Sequence, residues 1–175
     1  MCYGRIAHPT TMATPRKSIV PLATVSASQL PTITMPQRIA YARTRSGMSI
    51  TAMAAAIGVH KDYYKLIEQR CDRISIPTLC AISSVTGSDL DWLIYGPVAP
   101  PHIPLTAPTI GQRLRQFRTQ NGITCKALAQ TAFGVNKLSS ISKWETDRMF
   151  PELRTLKLIA DAYHISVTSF IKAGD

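Results

Sequence analysis

The chain has 175 residues, room for one mid-sized domain or two small ones, and its 45% apolar content argues for a folded core rather than disorder throughout. Lysine and arginine total 20 against 10 aspartate and glutamate, a formal net charge of +10, and such a surface draws polyanions, nucleic acid first and anionic membrane second. No apolar run approaches the roughly 18 residues of a membrane span, and Cys2, Cys71, Cys80 and Cys125 form no CxxC pair and have no histidine at ligand spacing. The composition therefore predicts free thiols, no zinc or other metal, no cofactor and a cytoplasmic protein that does not enter a membrane. The N-terminal stretch, interrupted by Pro21, makes a poor secretory signal.

In chain order, residues 1–33 are rich in Pro, Ser and Thr and read as a flexible basic tail carrying Arg5, Arg16 and Lys17. Residues 34–96 read as about five short helices, with Pro36, Ser49, Ser75 and Ser88 at their starts. Ser88-Asp-Leu-Asp91 has the form of a capping box. Residues 97–108, PVAPPHIPLTAP, hold five prolines and no Lys, Arg, Asp or Glu, which predicts a semi-rigid spacer. Fully extended it would reach roughly 37 Å at polyproline rise, near the roughly 34 Å of one DNA turn.

Residues 109–175 again read as about five helices. Thr109 caps the first, with Ile110, Leu114 and Phe117 as its buried stripe and Asn121-Gly122 as its stop. Thr124 caps the second, which points Leu128, Ala129 and Ala132 or Phe133 inward before a turn at Gly134. The third spans 137–146, Pro151 opens the fourth, and Ser166 caps the last. No stretch argues for a strand, so the expected class is all-α.

The two blocks resemble each other. RIAYARTRSGMS (38–49) aligns with RLRQFRTQNGIT (113–124), IGVHKDYYKLIE (57–68) answers FGVNKLSSISKWE (133–145), and GSDLDWLI (87–94) parallels HISVTSFI (164–171). Internal duplication is the strongest organisational signal in the chain.

One stretch points to chemistry. In LSSISKWE (138–145), Leu138, Ile141 and Trp144 form one apolar stripe, with Ser139, Ser142, Lys143 and Thr146 on the other side. An ordinary solvent-facing stripe would carry long helix-favouring side chains. Short hydroxyls instead let a helix backbone sit deep in a major groove, where they and a lysine meet base edges and phosphates. A short helix and a glycine turn precede it, the order of a helix-turn-helix.

On these residues the chain resembles the Cro/cI repressor-like (XRE) helix-turn-helix proteins. The resemblance rests on Gly122-Ile123-Thr124, Leu128-Ala129, Gly134-Val135, Ile141, Trp144-Glu145, Pro151, Leu156 to Ala160 and His164 to Ser166. In the first block it rests on Gly47-Met48-Ser49, Met53-Ala54, Gly58-Val59, Tyr64, Ile67-Glu68, Pro77 and Gly87 through Asp91-Trp92-Leu93. It implies two tandem lambda-repressor-like five-helix domains joined by the Pro-rich linker, with recognition helices at about 60–68 and 137–146. Two departures stand out. The glutamine that often holds a phosphate in that family is replaced by Ile50 and Cys125, so that contact is either missing or made by a neighbour such as Thr51 or Lys126. The second block also carries two extra residues before its Trp-Glu, so its recognition helix is expected to start late or tilt.

The residues expected to contact DNA in the second block are Lys137, Ser139, Ser140, Ser142 and Lys143, with Thr124, Lys126, Arg115 and Arg118 around them. In the first block they are His60, Lys61, Asp62, Tyr63 and Lys65, with Thr51; Asp62 is placed to accept from a cytosine amino group or to repel phosphate. Trp92 and Trp144 read as core. The four histidines form no set with Cys, Asp or Ser, which argues against an enzyme. The expected function is a sequence-specific regulator of transcription binding double-stranded DNA, a repressor of phage or mobile-element type, as a homodimer or as an intrachain pseudo-dimer. The alternative is an antitoxin or adaptor whose first domain binds a protein partner while only the second reads DNA. The second block carries ten Lys/Arg to five Asp/Glu and the first seven to five, which favours the second as the stronger DNA reader.

Overall fold

The computed structural model describes residues 33–71, 73–134 and 137–172. The tail expected over residues 1–33 lies outside these except for Ile33. Ten helices and no strand occur among the described residues. They are α1 (Met35–Arg45), α2 (Ile50–Ala56), α3 (Lys61–Arg70), α4 (Ile76–Thr86), α5 (Leu90–Tyr95), α6 (Ile110–Gln120), α7 (Cys125–Phe133), α8 (Leu138–Glu145), α9 (Leu153–Ala162) and α10 (Thr168–Ile171). None is long and apolar enough to cross a membrane.

Short polar side chains set the helix starts. Ser49, Ser75, Thr109 and Thr124 each accept from the backbone N–H three residues on, satisfying a donor that has no intrahelical partner. Thr34 and Gln37 form a capping box on either side of Pro36, with Gln37 Oε1 accepting from Thr34 N–H at 2.8 Å. The start of α5 differs from expectation: Asp89, not Ser88, is the cap and accepts from Trp92 N–H at 3.0 Å. At the last helix Ser166 still takes the Thr168 N–H, although regular helix begins only after Val167. Pro151 stands two residues ahead of α9, outside it.

The closest helix pairings fall within α1–α5 or within α6–α10: α1 packs on α3, α4 and α5, and α6 packs on α8 and α10. Ile39, Met53, Tyr64, Leu79 and Leu93 fill the first group, and Leu114, Leu128, Ile141, Leu156 and Phe170 fill the second. Phe117 meets Tyr163 and Phe170 edge-on, the favoured aromatic geometry.

Residues 97–108 correct the spacer expectation. Leu105 is fully buried, Pro101 accepts from Ser166 N–H at 2.9 Å, and Ile103 N–H donates to the Ser169 hydroxyl at 2.9 Å. Gln116 Oε1 accepts from both Thr106 and Ala107. From Pro101 to Pro108 the segment is strapped along the second helix group rather than free of it.

Candidate nucleic-acid interface

Two arginines brace each cage of helices, α1–α5 and α6–α10. Arg38 lies buried at the start of α1 and donates to the carbonyls of Leu93, Ile94 and Ile33, tying α1 to the end of α5. Arg113 does the same between α6 and α10, with Phe170 and Ile171 as acceptors. Burial pulls both guanidinium groups below their ordinary range. One turn and a half further along, Arg43 grips Glu68 through a two-pronged pair at 2.5 and 3.0 Å and donates to Met48 carbonyl. Arg118 grips Glu145 at 2.6 and 2.8 Å and donates to Ile123 carbonyl. In both, the hydrogen bond to the carboxylate raises the guanidinium's pKa against the opposing effect of burial.

Each fork therefore fastens the helix after the turn to the first helix of its group, α3 to α1 and α8 to α6. Arg118, expected among the DNA contacts, spends its guanidinium on Glu145 and the Ile123 carbonyl and so holds the fold. The same pairs hold Ile67-Glu68 and Trp144-Glu145 inward: Ile67, Trp144 and Glu145 are buried. Tyr64 takes the place of Ile141 in the first cage, and burial foremost, with Glu68 nearby, pushes its hydroxyl far above the ordinary phenol range.

With the inner stripes fixed, the outer faces follow. On α3, Lys61, Asp62 and Lys65 are exposed, and Tyr63 is half-buried with its hydroxyl donating to Arg73 carbonyl at 3.4 Å. His60 serves as N-cap, its Nδ1 accepting from Asp62 N–H at 3.3 Å. Thr51 is exposed at the start of α2, while Ile50, in the glutamine position, packs against the core.

On α8, Ser139, Ser142 and Lys143 are exposed and Ser140 is half-buried. Lys137 lies before the helix rather than in it; it has no capping side-chain bond and sets its ammonium 4.9 Å over the Phe133 ring. Thr124 is exposed but spends its hydroxyl as the α7 cap, and Lys126 and Arg115 are exposed. The two extra residues do not delay α8. Counted back from Trp144-Glu145, Leu138 stands where Lys61 stands before Ile67-Glu68, and both additions fall in α7, nine residues long where α2 has seven.

Reasoning on sequence missed Gly111 and Asp147. A Cβ at Gly111 would stand 1.9 Å from Trp144 carbonyl oxygen, so only glycine lets α6 lie this close to the end of α8. Asp147, at φ 55°, accepts from the Thr109 hydroxyl at 2.8 and 2.9 Å and from Gln112 Nε2 at 3.2 Å. It missed the forks too, although Arg43/Glu68 and Arg118/Glu145 stand at matching places in the two aligned stretches of sequence.

Residues 39–93 match the helix-turn-helix family model HTH_3. The match runs from α1 into α5 and so contains α2, the turn at Gly58 and α3. It covers under half of the chain, and α6–α10 lie outside it. No curated protein and no solved structure matches the chain.

Proposed function

We propose that the chain is a sequence-specific duplex-DNA-binding regulator of transcription, a repressor of the kind that controls phages and mobile elements. Both helix groups act as Cro/cI-like readers, α3 and α8 being the recognition helices. The observation that carries this is the family match over residues 39–93, which makes α2-turn-α3 a helix-turn-helix. Support for the second reader is the recurrence there of the buried arginine, the Arg–Glu fork and an inward stripe ending on the forked glutamate, Ile141-x-x-Trp144-Glu145 where the first group has Tyr64-x-x-Ile67-Glu68. Lysines supply affinity through phosphates, while Ser139, Ser142, Lys143, Lys61, Asp62 and Lys65 choose the sequence. The role is non-catalytic, needs no cofactor, and belongs in the cytoplasm at the nucleoid.

The test is fluorescence anisotropy of the full chain against a site selected from random duplexes and against scrambled DNA. The proposal expects discrimination of about a thousandfold or more, and equal binding to both would overturn it. Repression is tested by placing the selected site in a reporter promoter, where a rise in expression would overturn it.

A second reading, in which the first helix group binds a protein partner, has one observation in its favour. An open depression of about 430 Å³ at the end of α3 is lined by Tyr63, Leu66, Ile67 and Arg70, with Leu66 exposed. Retained DNA discrimination after Lys61→Ala, together with a partner lost on Leu66→Asp, would favour it.

A further inference from the structure

The two helix groups meet through a small polar seam, and its pairing has a symmetry. From Tyr64/Ile141 onward, positions of the first group correspond to positions 77 residues later: the buried Ile76, Leu79 and Ile82 to Leu153, Leu156 and Ile159, and the Leu93/Ile94 carbonyls held by Arg38 to the Phe170/Ile171 carbonyls held by Arg113. In this register Asp89, Leu90, Asp91 and Tyr95 correspond to Ser166, Val167, Thr168 and Lys172.

The cross-group contacts then fall into reciprocal sets. Asp91 accepts from the Thr168 hydroxyl at 2.8 and 2.9 Å, a position meeting its own counterpart. Lys172 pairs with Asp89 at 3.2 Å. The converse contact is Tyr95, whose hydroxyl accepts from Val167 N–H at 3.0 Å, one residue from the counterpart of Asp89. Lys157 lies 4.9 Å over the Tyr95 ring, and its counterpart Cys80 feels the charge of Lys172, the counterpart of Tyr95; burial raises that thiol's pKa and Lys172 opposes it. Asp91 with Ser166 lacks a reciprocal, because Asp89 is turned to Lys172. Residue i touching j while j touches i is the signature of a two-fold contact.

We propose that the chain is a self-contained pseudo-dimer, its two helix groups related by a local two-fold axis through the Asp91–Thr168 contact, so that one molecule reads an inverted pair of unlike half-sites at a fixed separation. This rests on the reading of α3 and α8 as DNA-recognition helices. The seam is built for unlike halves. Two first groups joined this way would set Asp91 against Asp91, and two second groups would have no carboxylate for the Ser166 and Thr168 hydroxyls. The strapped segment 97–108 cannot act as a long tether, so the seam sets the separation. Duplex DNA has its own two-fold symmetry, and a two-fold protein matches it by inverted half-sites. The half-sites differ because α3 offers Lys61, Asp62 and Lys65 where α8 offers Ser139, Ser142 and Lys143.

The test selects binding sites for the full chain from a randomised 30-base-pair duplex library and measures stoichiometry by sedimentation. The proposal expects one chain per duplex and two unlike blocks in inverted orientation. Inserting five base pairs between them should cost a hundredfold or more, because the second contact is gained through linkage. Asp91→Lys, with each helix group shown to be folded by circular dichroism, should shrink that penalty below tenfold; Tyr95→Phe with Thr168→Val provides a second variant that adds no charge. Two chains per site, a direct repeat, a single block, or an insertion penalty that neither variant changes would overturn the two-fold. No enriched sequence at all would instead overturn the DNA reading, and this inference with it.

Discussion

Replacing Gly111 with alanine sets two physical effects against each other. On helix propensity alone the change is favourable by up to about 1 kcal/mol. In this structure the added methyl would stand 1.9 Å from Trp144 carbonyl oxygen, 2.7 Å from an Asp147 carboxylate oxygen and 2.9 Å from Trp144 carbonyl carbon. Two of these are backbone atoms that cannot swing aside, so α6 and α8 must part. Overpacking of this kind costs about 1–3 kcal/mol, and loosening the Thr109–Asp147 hydrogen bonds adds about 0.5–1.5 kcal/mol. The net is a loss of about 2 kcal/mol. For a chain of this size that lowers the melting temperature by about 4–8 °C. Thermal unfolding followed by circular dichroism reads it directly, and an unchanged or raised melting temperature would refute the claim that glycine is required for this helix approach.

Three further outcomes follow from named contacts. Glu145→Gln strands the Arg118 guanidinium, whose side chain is only 16% exposed; breaking a buried pair costs about 3–5 kcal/mol, reduced here to about 2–3 kcal/mol by the surviving bond to Ile123, and a urea-denaturation loss below about 0.5 kcal/mol would contradict the fork's role. At Asp89, burial works to raise the carboxyl's pKa, but the Trp92 N–H and Lys172 outweigh it and hold it below the ordinary value. A depressed folded pKa gives stability that is present above the unfolded value of about 3.9 and lost as pH falls through the folded one. The stability gap between the native chain and Asp89→Asn, which keeps a capping side chain, should therefore be full at neutral pH and close on acidification; a gap that widens in acid contradicts this. Lys143→Ala should weaken DNA binding and, if the lysine meets a phosphate, lower the salt slope by about 1, whereas an unchanged slope with lost discrimination would place it on a base.

Much of the fold is legible in local patterns. Ser49, Ser75, Thr109 and Thr124 are caps because a short hydroxyl before an apolar-periodic run has few better uses. The inward stripe of α8 is equally local, since Ile141 and Trp144 sit three apart. What escapes such reading depends on partners distant in sequence. Arg118 looks like one more surface cation until Glu145, 27 residues on, is seen to hold it. The proline-rich 97–108 reads as a spacer because proline lacks a donor, yet its carbonyls, Leu105 and the Gln116 acceptor strap it down. Asp89 displaces Ser88 as cap because the chain turns at Gly87 in the left-handed region, which places the carboxylate, one residue later, against Trp92 N–H. Gly111 could be suspected only by asking why a helix-breaking residue stands in a first turn.

The central claim, that α3 and α8 read duplex DNA, is tested most directly by titrating the full chain, Lys61→Ala and Lys143→Ala against a selected site and a scrambled duplex at several salt concentrations. The account predicts that the native chain prefers the selected site by about a thousandfold or more, and that each single variant erodes that preference while the helices remain folded. Equal affinity for both duplexes, falling together with salt and indifferent to either lysine, would mean that net charge alone draws the chain to DNA and would contradict the account.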